Sequence, residues 1–227
     1  MILLEAKNIE KSFVENIKVL RGVSLTVQKG DFISIEGASG SGKSTLLTIL
    51  GGIDRPDSGE VLFCGEDIAK MTEKELAILR RTKIGFVFQF FNLAPYLTVF
   101  ENVLLPIILD KKKVSEYENK ALDLLKDLGI YEYKDRLPAA LSGGEQQRVA
   151  IARGLIFSPD VIMLDEPTGN LDSVNSAGIM DLLKRINLEL GTTIIQVTHS
   201  RENAEYGNRK IVIKDGIILN GNDGVEC

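Results

Sequence analysis

The sequence has no long hydrophobic run, which excludes a membrane-spanning segment. Its most apolar stretch near the middle, residues 103–109, is seven residues long and contains Pro106, whereas a membrane-spanning helix needs about 20 apolar residues. The N-terminus carries charges from Glu5 onward, too early for a signal peptide. We therefore expect a soluble protein that reaches a membrane only through a partner.

Cysteine and net positive charge are also scarce. The two cysteines, Cys64 in a predicted strand and Cys227 at the C-terminus, fit neither a disulfide framework nor a metal-site spacing, which favours a reducing compartment. The 27 Lys and Arg against 32 Asp and Glu give a net charge of −5. Because nucleic-acid binders need a basic surface, this balance argues against a general nucleic-acid-binding role.

The N-terminal part shows strand patterns on both sides of turns. The first 30 residues alternate apolar and polar positions, which predicts antiparallel strands with a turn at Gly30 and Asp31. Residues 32–35 predict a strand and residues 43–50 a helix, with a glycine-rich loop between them. Strand, loop and helix form the context that a phosphate-binding loop requires.

The remainder predicts a parallel sheet interrupted by a helical insertion. Apolar runs at 161–164 and 193–197 are typical of strands buried on both faces, and each follows a helical pattern. Alternating helices and strands indicate a parallel sheet covered by helices. Residues 92–137 lack a strand pattern, and 115–128 are amphipathic at helical spacing, so we expect an all-helical insertion; short strands return from Val212.

The glycine-rich loop fits the pattern G-x-x-x-x-G-K-[ST]. Its glycines let the backbone wrap a diphosphate with successive N–H groups pointing inward, and the following helix adds its positive N-terminal end. We expect Lys43 to reach the β and γ phosphates and Ser44 to ligate Mg²⁺. The predicted phosphate site comprises Gly37, Ala38, Ser39, Gly40, Ser41, Gly42, Lys43, Ser44 and Thr45.

Three polar residues follow the apolar strands. Asp165 and Glu166 close the strand at 161–164, where a carboxylate faces the ligand crevice of a parallel sheet. Beside a phosphate loop, we expect Asp165 to hold the Mg²⁺ shell and Glu166 to accept a proton from an attacking water, rather than to be merely solvated acids. His199, the only histidine, ends the other strand; its position leaves open a structural role or a hydrogen bond to the γ-phosphate.

A second helix start with glycines lies at residues 141–148, LSGGEQQR. A serine hydroxyl and two glycines at a helix N-terminus suit an anion. Ser142 and Glu145 also fit a capping box, but a cap needs no pair of glycines. Two anion sites on one chain indicate that the second serves a nucleotide held by another copy.

These residues carry a resemblance to a known family. Residues 141–148 resemble the signature motif of ATP-binding cassette (ABC) proteins, residues 37–45 resemble Walker A, and residues 161–165 resemble Walker B. The resemblance implies an ATPase that uses Mg²⁺, with Glu166 as catalytic base. Two copies would hold each ATP between one copy's Walker A and the other copy's signature residues, which are Ser142, Gly143, Gly144 and Glu145.

The resemblance also assigns roles to residues outside these motifs. Gln89 matches the Q-loop glutamine that contacts Mg²⁺ and relays to a membrane partner, and residues 170–172, which end with Asp172, match the D-loop. His199 matches the switch histidine, and Phe13 stands where the family stacks an aromatic ring on adenine. By resemblance, Lys43, Glu166 and His199 form the catalytic set, while the metal ligands are Ser44, Gln89 and Asp165.

The implied fold is α/β: a P-loop NTPase core with a mostly parallel sheet, an N-terminal antiparallel β subdomain and an inserted α-helical subdomain. We predict one ABC ATPase domain over 1–227, with the core at 1–91 and 138–227 and the helical subdomain at about 92–137. The expected partners are a second copy and integral membrane permease subunits, with no nucleic acid. The predicted location is cytoplasmic, on the inner face of the cell membrane.

Finer matches at residues 83–89 and 91–103 are similar to the lipoprotein-release and macrolide-exporter ATPases, a pattern shared in part by cell-division and peptide-resistance ATPases. These couple to membrane subunits that transmit force. Four residues depart from that branch without removing a phosphate or Mg²⁺ contact: Ala38, Phe90, Gly154 and Ser200. Four residues could line the partner groove or equally pack the insertion's own core: Phe91, Pro95, Tyr96 and Phe100.

Two other functions have to be weighed. One is a soluble ABC protein that acts on ribosomes or DNA, a class that usually has two cassettes per chain or a long coiled-coil insertion, and this chain has neither. The other is a P-loop kinase for a small molecule, which would have no use for a second anion site.

Overall fold

The computed structural model describes residues 1–14 and 17–220, so Cys227 lies outside it. An antiparallel sheet forms the N-terminal part, with strand order β2-β1-β4-β5. Its strands are β1 (Ile2–Val14), β2 (Ile17–Gln28), β4 (Ser58–Phe63) and β5 (Glu66–Asp67). The predicted turn is confirmed, since Gly30 has a φ of 87° and the Asp31 N–H donates to the Gln28 carbonyl.

The second sheet has six strands in the order β10-β9-β3-β8-β7-β6. Strands β6, β7, β8, β3 and β9 run parallel, and β10 pairs antiparallel at the edge. Their bounds are β3 (Phe32–Glu36), β6 (Ile84–Val87), β7 (Val161–Asp165), β8 (Thr193–Thr198), β9 (Arg209–Lys214) and β10 (Ile217–Asn220). Every residue of β8 is buried, because helices cover both faces of a sheet built through crossovers.

Seven α-helices lie in the described part of the chain. They are α1 (Lys43–Leu50), α2 (Glu73–Thr82), α3 (Val99–Leu109), α4 (Glu118–Asp127), α5 (Gly143–Leu155), α6 (Ser173–Leu190) and α7 (Arg201–Ala204). No described helix combines the length and the apolar character needed to cross a membrane. Helix α5 lies close to β6, since a Cβ on Gly85 would be 2.7 Å from the Gly154 carbonyl oxygen.

The fold prediction is confirmed, with local differences. Residues 92–137 hold α3, α4 and two short 3-10 helices, but no strand; the subdomain boundaries stay a prediction. Cys64 lies in the turn after β4 rather than in a strand, with a φ of 50°. Strand β9 begins at Arg209, earlier than Val212, because its pairing with β3 starts at that residue.

Candidate functional site

The glycine-rich loop joins β3 to α1 with little room for side chains. A Cβ on Gly37 would lie 2.2 Å from the Ile213 carbonyl oxygen on β9. Gly42 is the N-cap of α1 with a φ of 101°, and no side chain caps it. A left-handed φ favours glycine, and an uncapped helix start leaves backbone N–H groups available to an anion.

Lys43 and Ser44, the first two residues of α1, meet polar groups at the end of the sheet. The Lys43 Nζ donates to the carbonyls of Gly37 and Ala38, both at 3.0 Å. The Ser44 hydroxyl donates to Asp165 Oδ1 at 2.8 Å. Hydroxyl and carboxylate oxygens are ligands that Mg²⁺ accepts, so this pair fits the metal that the sequence resemblance implies.

Asp165, the last residue of β7, sits in an environment that disfavours its charge. Burial raises the pKa of its carboxyl, and the neighbouring Glu166 carboxylate adds to that rise, while the Ser44 hydroxyl and Lys43 oppose it. A bound cation would reverse this balance by favouring the carboxylate.

Glu166 and His199 meet above the ends of β7 and β8. Glu166 has a left-handed φ of 49°, which is uncommon for a residue with a side chain, and its N–H donates to the Val197 carbonyl at 3.0 Å. His199 Nδ1 lies 2.8 Å from Glu166 Oε2. A carboxylate held this way can accept a proton from a water beside a bound phosphate.

These groups border a cavity of about 680 Å³. It brings together most of the predicted site, including Phe13 and Gln89 from distant parts of the chain. Its lining residues are Phe13, Val19, Ser39, Gly40, Gly42, Lys43, Ser44, Thr45, Gln89, Glu166 and His199. Val19 was not predicted, because in the sequence it is one apolar residue of a strand and carries no chemical signal. Gly37, Ala38, Ser41 and Asp165 belong to the same loop and strand end.

The signature segment does not line this cavity. Ser142 is the N-cap of α5 and forms a full capping box, in which its N–H and hydroxyl donate to Glu145 Oε2 at 2.7 and 2.8 Å. Burial raises the pKa of Glu145, but hydrogen bonds from Ser142 and Tyr133 and the charge of Arg136 outweigh this, so the pKa is lowered overall. The sequence did not reveal the influence of Tyr133 and Arg136, because only the fold brings them near Glu145.

The D-loop lies between the signature segment and Gln89. Asp172 caps α6 by accepting from the Asn175 N–H at 2.9 Å, and it also accepts from the Asn175 side chain. Asn175 packs on the signature segment, since a Cβ on Gly144 would lie 2.7 Å from its Oδ1. The Asn170 side chain donates to the Gln89 carbonyl at 2.9 Å.

The four residues considered for a partner groove divide into two pairs. Phe91 and Phe100 pack against the buried cluster under the helical segment, residues 92–137. Pro95 and Tyr96 are exposed, Tyr96 at 91%. The unusual Phe90 is also exposed. Among the other departures, Ser200 caps α7, and Gly154 would accept a Cβ at ordinary contact distance.

Comparisons with known proteins match this geometry. The ABC transporter family model matches residues 20–169. The lipoprotein-releasing system ATP-binding protein LolD of Aquifex aeolicus is 49% identical, covering 96% of each chain. The macrolide export ATP-binding/permease protein MacB of Syntrophobacter fumaroxidans is 46% identical over 96% of this chain and 31% of that protein.

A solved structure is similar across nearly the whole fold. The ATP-binding cassette MJ0796, dimeric and bound to ADP and Pi in a post-hydrolysis state, superimposes with a TM-score of 0.87 at 43% identity, covering 96% of this chain and 97% of that one. The chain therefore belongs to the ABC transporter family, in the branch with the lipoprotein-release and macrolide-export ATPases, and it is an ATPase that binds ATP with Mg²⁺.

Proposed function

We propose that two copies of this chain bind two ATP molecules head to tail and drive membrane permease subunits of the force-transmitting type. The observation that carries this proposal is the separation of two helix starts. The start of α1 borders the cavity and is uncapped, while the signature start of α5 lies outside the cavity. A single chain thus offers the signature segment no nucleotide of its own, and the dimeric relative supports the arrangement.

In this proposal, the side chains of the cavity divide the work of hydrolysis. Lys43 and the loop N–H groups would hold the phosphates, and Ser44, Asp165 and Gln89 would hold Mg²⁺, which would neutralise charge on the phosphates. Glu166 accepts the proton of the attacking water, and His199 donates a hydrogen bond to the γ-phosphate. Fixed donors around a developing charge supply most of the rate in phosphoryl transfer.

Phe13 and the residues outside the cavity complete the proposed site. Phe13 lines the cavity and is 62% exposed, so one face of its ring is available for stacking on adenine. Ser142, Gly143, Gly144 and Glu145 would face the nucleotide of the other copy, next to Asp172 of the D-loop.

We infer that the permease contacts a groove of about 430 Å³ between the core and the helical segment. Its lining includes the apolar residues Phe86, Leu105 and Pro106 and the cationic residues Arg80 and Arg153. A groove with both apolar and cationic lining fits a short amphipathic helix that carries carboxylates. Such a partner would hold the chain on the inner face of a membrane.

The substitution Glu166→Gln tests the proposed dimer, in which each ATP lies between the two copies. It removes the proposed base but keeps the shape of the side chain, so ATP should bind without being hydrolysed and a stable dimer should accumulate. Light scattering should report a dimer with ATP and Mg²⁺ and a monomer without ATP. Glu189→Gln is the control, because it makes the same chemical change at an exposed position of α6. If Glu166→Gln stays a monomer with ATP and Mg²⁺ at every protein concentration, the proposed dimer is wrong.

A further inference from the structure

A largely buried polar network involves the residues that follow His199 in the chain. Ser200 caps the short helix α7 by accepting from the Asn203 N–H at 3.3 Å. The Asn203 carbonyl accepts from Gln196 Nε2 at 2.8 Å, and the same nitrogen donates to the Ser34 hydroxyl on β3. Gln196 and Ser34 are fully buried, and Asn203 is 8% exposed. The backbone of Asn203 is therefore anchored to the two central strands of the sheet.

The side chain of Asn203 reaches a different element. Its Nδ2 donates to Thr168 Oγ1 at 2.7 Å and to Ser176 Oγ at 3.4 Å. Thr168 is itself 8% exposed and lies two residues after Glu166. The turn that contains both is closed by the Gly169 N–H, which donates to the Glu166 carbonyl at 3.0 Å. Asn203 thus connects the His199 side of the cavity with the turn that carries Glu166.

A contact of this kind is costly to leave unmade, because a buried polar group without a partner loses its hydration. An apolar side chain could fill the same space between α7, β7 and α6. The polar contact instead holds the Glu166 turn, whose backbone is already in an uncommon conformation, in a defined position relative to the end of β8. We propose that Asn203 is a positioning residue for hydrolysis that acts through Thr168 on the geometry of Glu166 and His199.

The inference rests on the roles proposed for Glu166 and His199. Asn203 does not line the nucleotide cavity, and its hydrogen bonds do not involve the phosphate loop. Its loss should therefore slow the chemical step and leave ATP binding in place. Couplings between side chains in one network typically correspond to roughly threefold to 100-fold changes, and we expect about a tenfold loss.

The main test is Asn203→Leu in the full chain, with ATP turnover measured by phosphate release. We expect kcat to fall about tenfold and the KM for ATP to stay within about twofold. Asn187→Leu is the matched control. Its side-chain amide also connects distant segments, by donating to the backbone carbonyls of Gly30 and Thr192, but it does not line the cavity. If both variants lose stability alike and neither loses more kcat than the other, Asn203 is only structural and the proposal is wrong.

Thr168→Val provides a second route that does not depend on the folding of the first variant. It removes the acceptor and preserves the volume, so it should lower kcat to a similar extent. In the double variant the two losses should not multiply; multiplied losses, or a normal kcat in Thr168→Val, would overturn the proposal. Glu166→Gln distinguishes the proposed role of Glu166 from that of Asn203. If this variant hydrolyses ATP normally, the role of Glu166 itself is wrong, whatever the Asn203 variants show.

Discussion

The N-terminal ends of α1 and α5 have similar sequences but differ in capping: α1 has no side-chain cap, whereas α5 has a complete capping box. Both place glycines and a serine at a helix N-terminus, where backbone N–H groups attract anions. At α1 the N-cap is Gly42, with no side-chain cap and no acidic residue in the first turn. At α5 the N-cap is Ser142, and the first turn contains Glu145, whose carboxylate accepts hydrogen bonds from the N–H and the hydroxyl of Ser142.

Because of this difference, the start of α1 can bind a phosphate within one chain, whereas the start of α5 depends on a second copy in the proposed dimer. The start of α1 is open towards the cavity, with Lys43 at its first position. At the start of α5, the N–H and hydroxyl of Ser142 already donate to the Glu145 carboxylate. A phosphate bound there would therefore share Ser142 with Glu145. In the proposed dimer, a nucleotide bound by one chain would gain its first contacts at α1, and contacts at α5 would follow only when a second copy approaches.

The largest effect should come from Lys43→Ala, which removes the cation of the open start. Charge-assisted hydrogen bonds to phosphate contribute about 1.5–3 kcal/mol, so the Kd for ATP should rise about 100-fold. Titration calorimetry measures this change. Lys74→Ala, an exposed lysine on α2, should bind ATP normally. Unchanged affinity in Lys43→Ala would place the nucleotide elsewhere.

An intermediate effect should come from Ser142→Ala at the closed start. One chain should still bind ATP with unchanged affinity, while hydrolysis at high protein concentration should fall by about 10- to 100-fold, which corresponds to the loss of one hydrogen bond to a charged group. Loss of the cap should also lower the free energy of unfolding by about 1 kcal/mol. Thr72→Ala is the control, because it removes the equivalent capping box of α2 and should cost stability without reducing hydrolysis.

Equal hydrolysis rates in Ser142→Ala and Thr72→Ala would contradict a role for the signature segment in the composite site. They would leave α5 as an ordinary capped helix and remove the contrast with α1.

The smallest effect should come from Glu145→Gln, which keeps the shape of the cap and removes its charge. The pKa of Glu145 is lowered in the folded chain, so its charge stabilises the fold fully above its ordinary value of 4.5, and this contribution disappears as pH falls through the lowered folded value. At neutral pH we expect a loss of about 0.5 kcal/mol, limited by solvent screening. Urea unfolding from pH 7 down to pH 3 measures it, and a loss that persists at the lowest pH would refute the electrostatic explanation.

Much of the site could be predicted because its chemistry is concentrated in short segments. The phosphate loop and the pair Asp165–Glu166 stand at the ends of strands, and the parallel sheet brings those ends together. Cys64 was misplaced because the apolar run at the end of β4, residues 61–63, continues into Cys64, one residue past the point where the chain turns. Strand β9 begins before its apolar residues do, since pairing with β3 rather than hydrophobicity sets its start.

Residues that act through contacts between distant segments could not be found in this way. Asn203 and Thr168 are 35 residues apart in the chain, and Tyr133 reaches Glu145 from the helical segment. An asparagine in a polar stretch carries no sign that it will be buried. Only the packing of α7 against the turn after β7 removes it from water.

The sequence by itself determined the family, and it predicted the phosphate loop, the metal and base carboxylates and a second anion-binding motif, because each depends on residue types at short, fixed spacing. The tertiary structure alone decided that the uncapped start of α1 borders a cavity. It also decided that Phe13 and Gln89 share one cavity while Ser142 lies outside it. These outcomes depend on long-range packing, where a side chain's partner is set by the whole fold rather than by its neighbours in the chain.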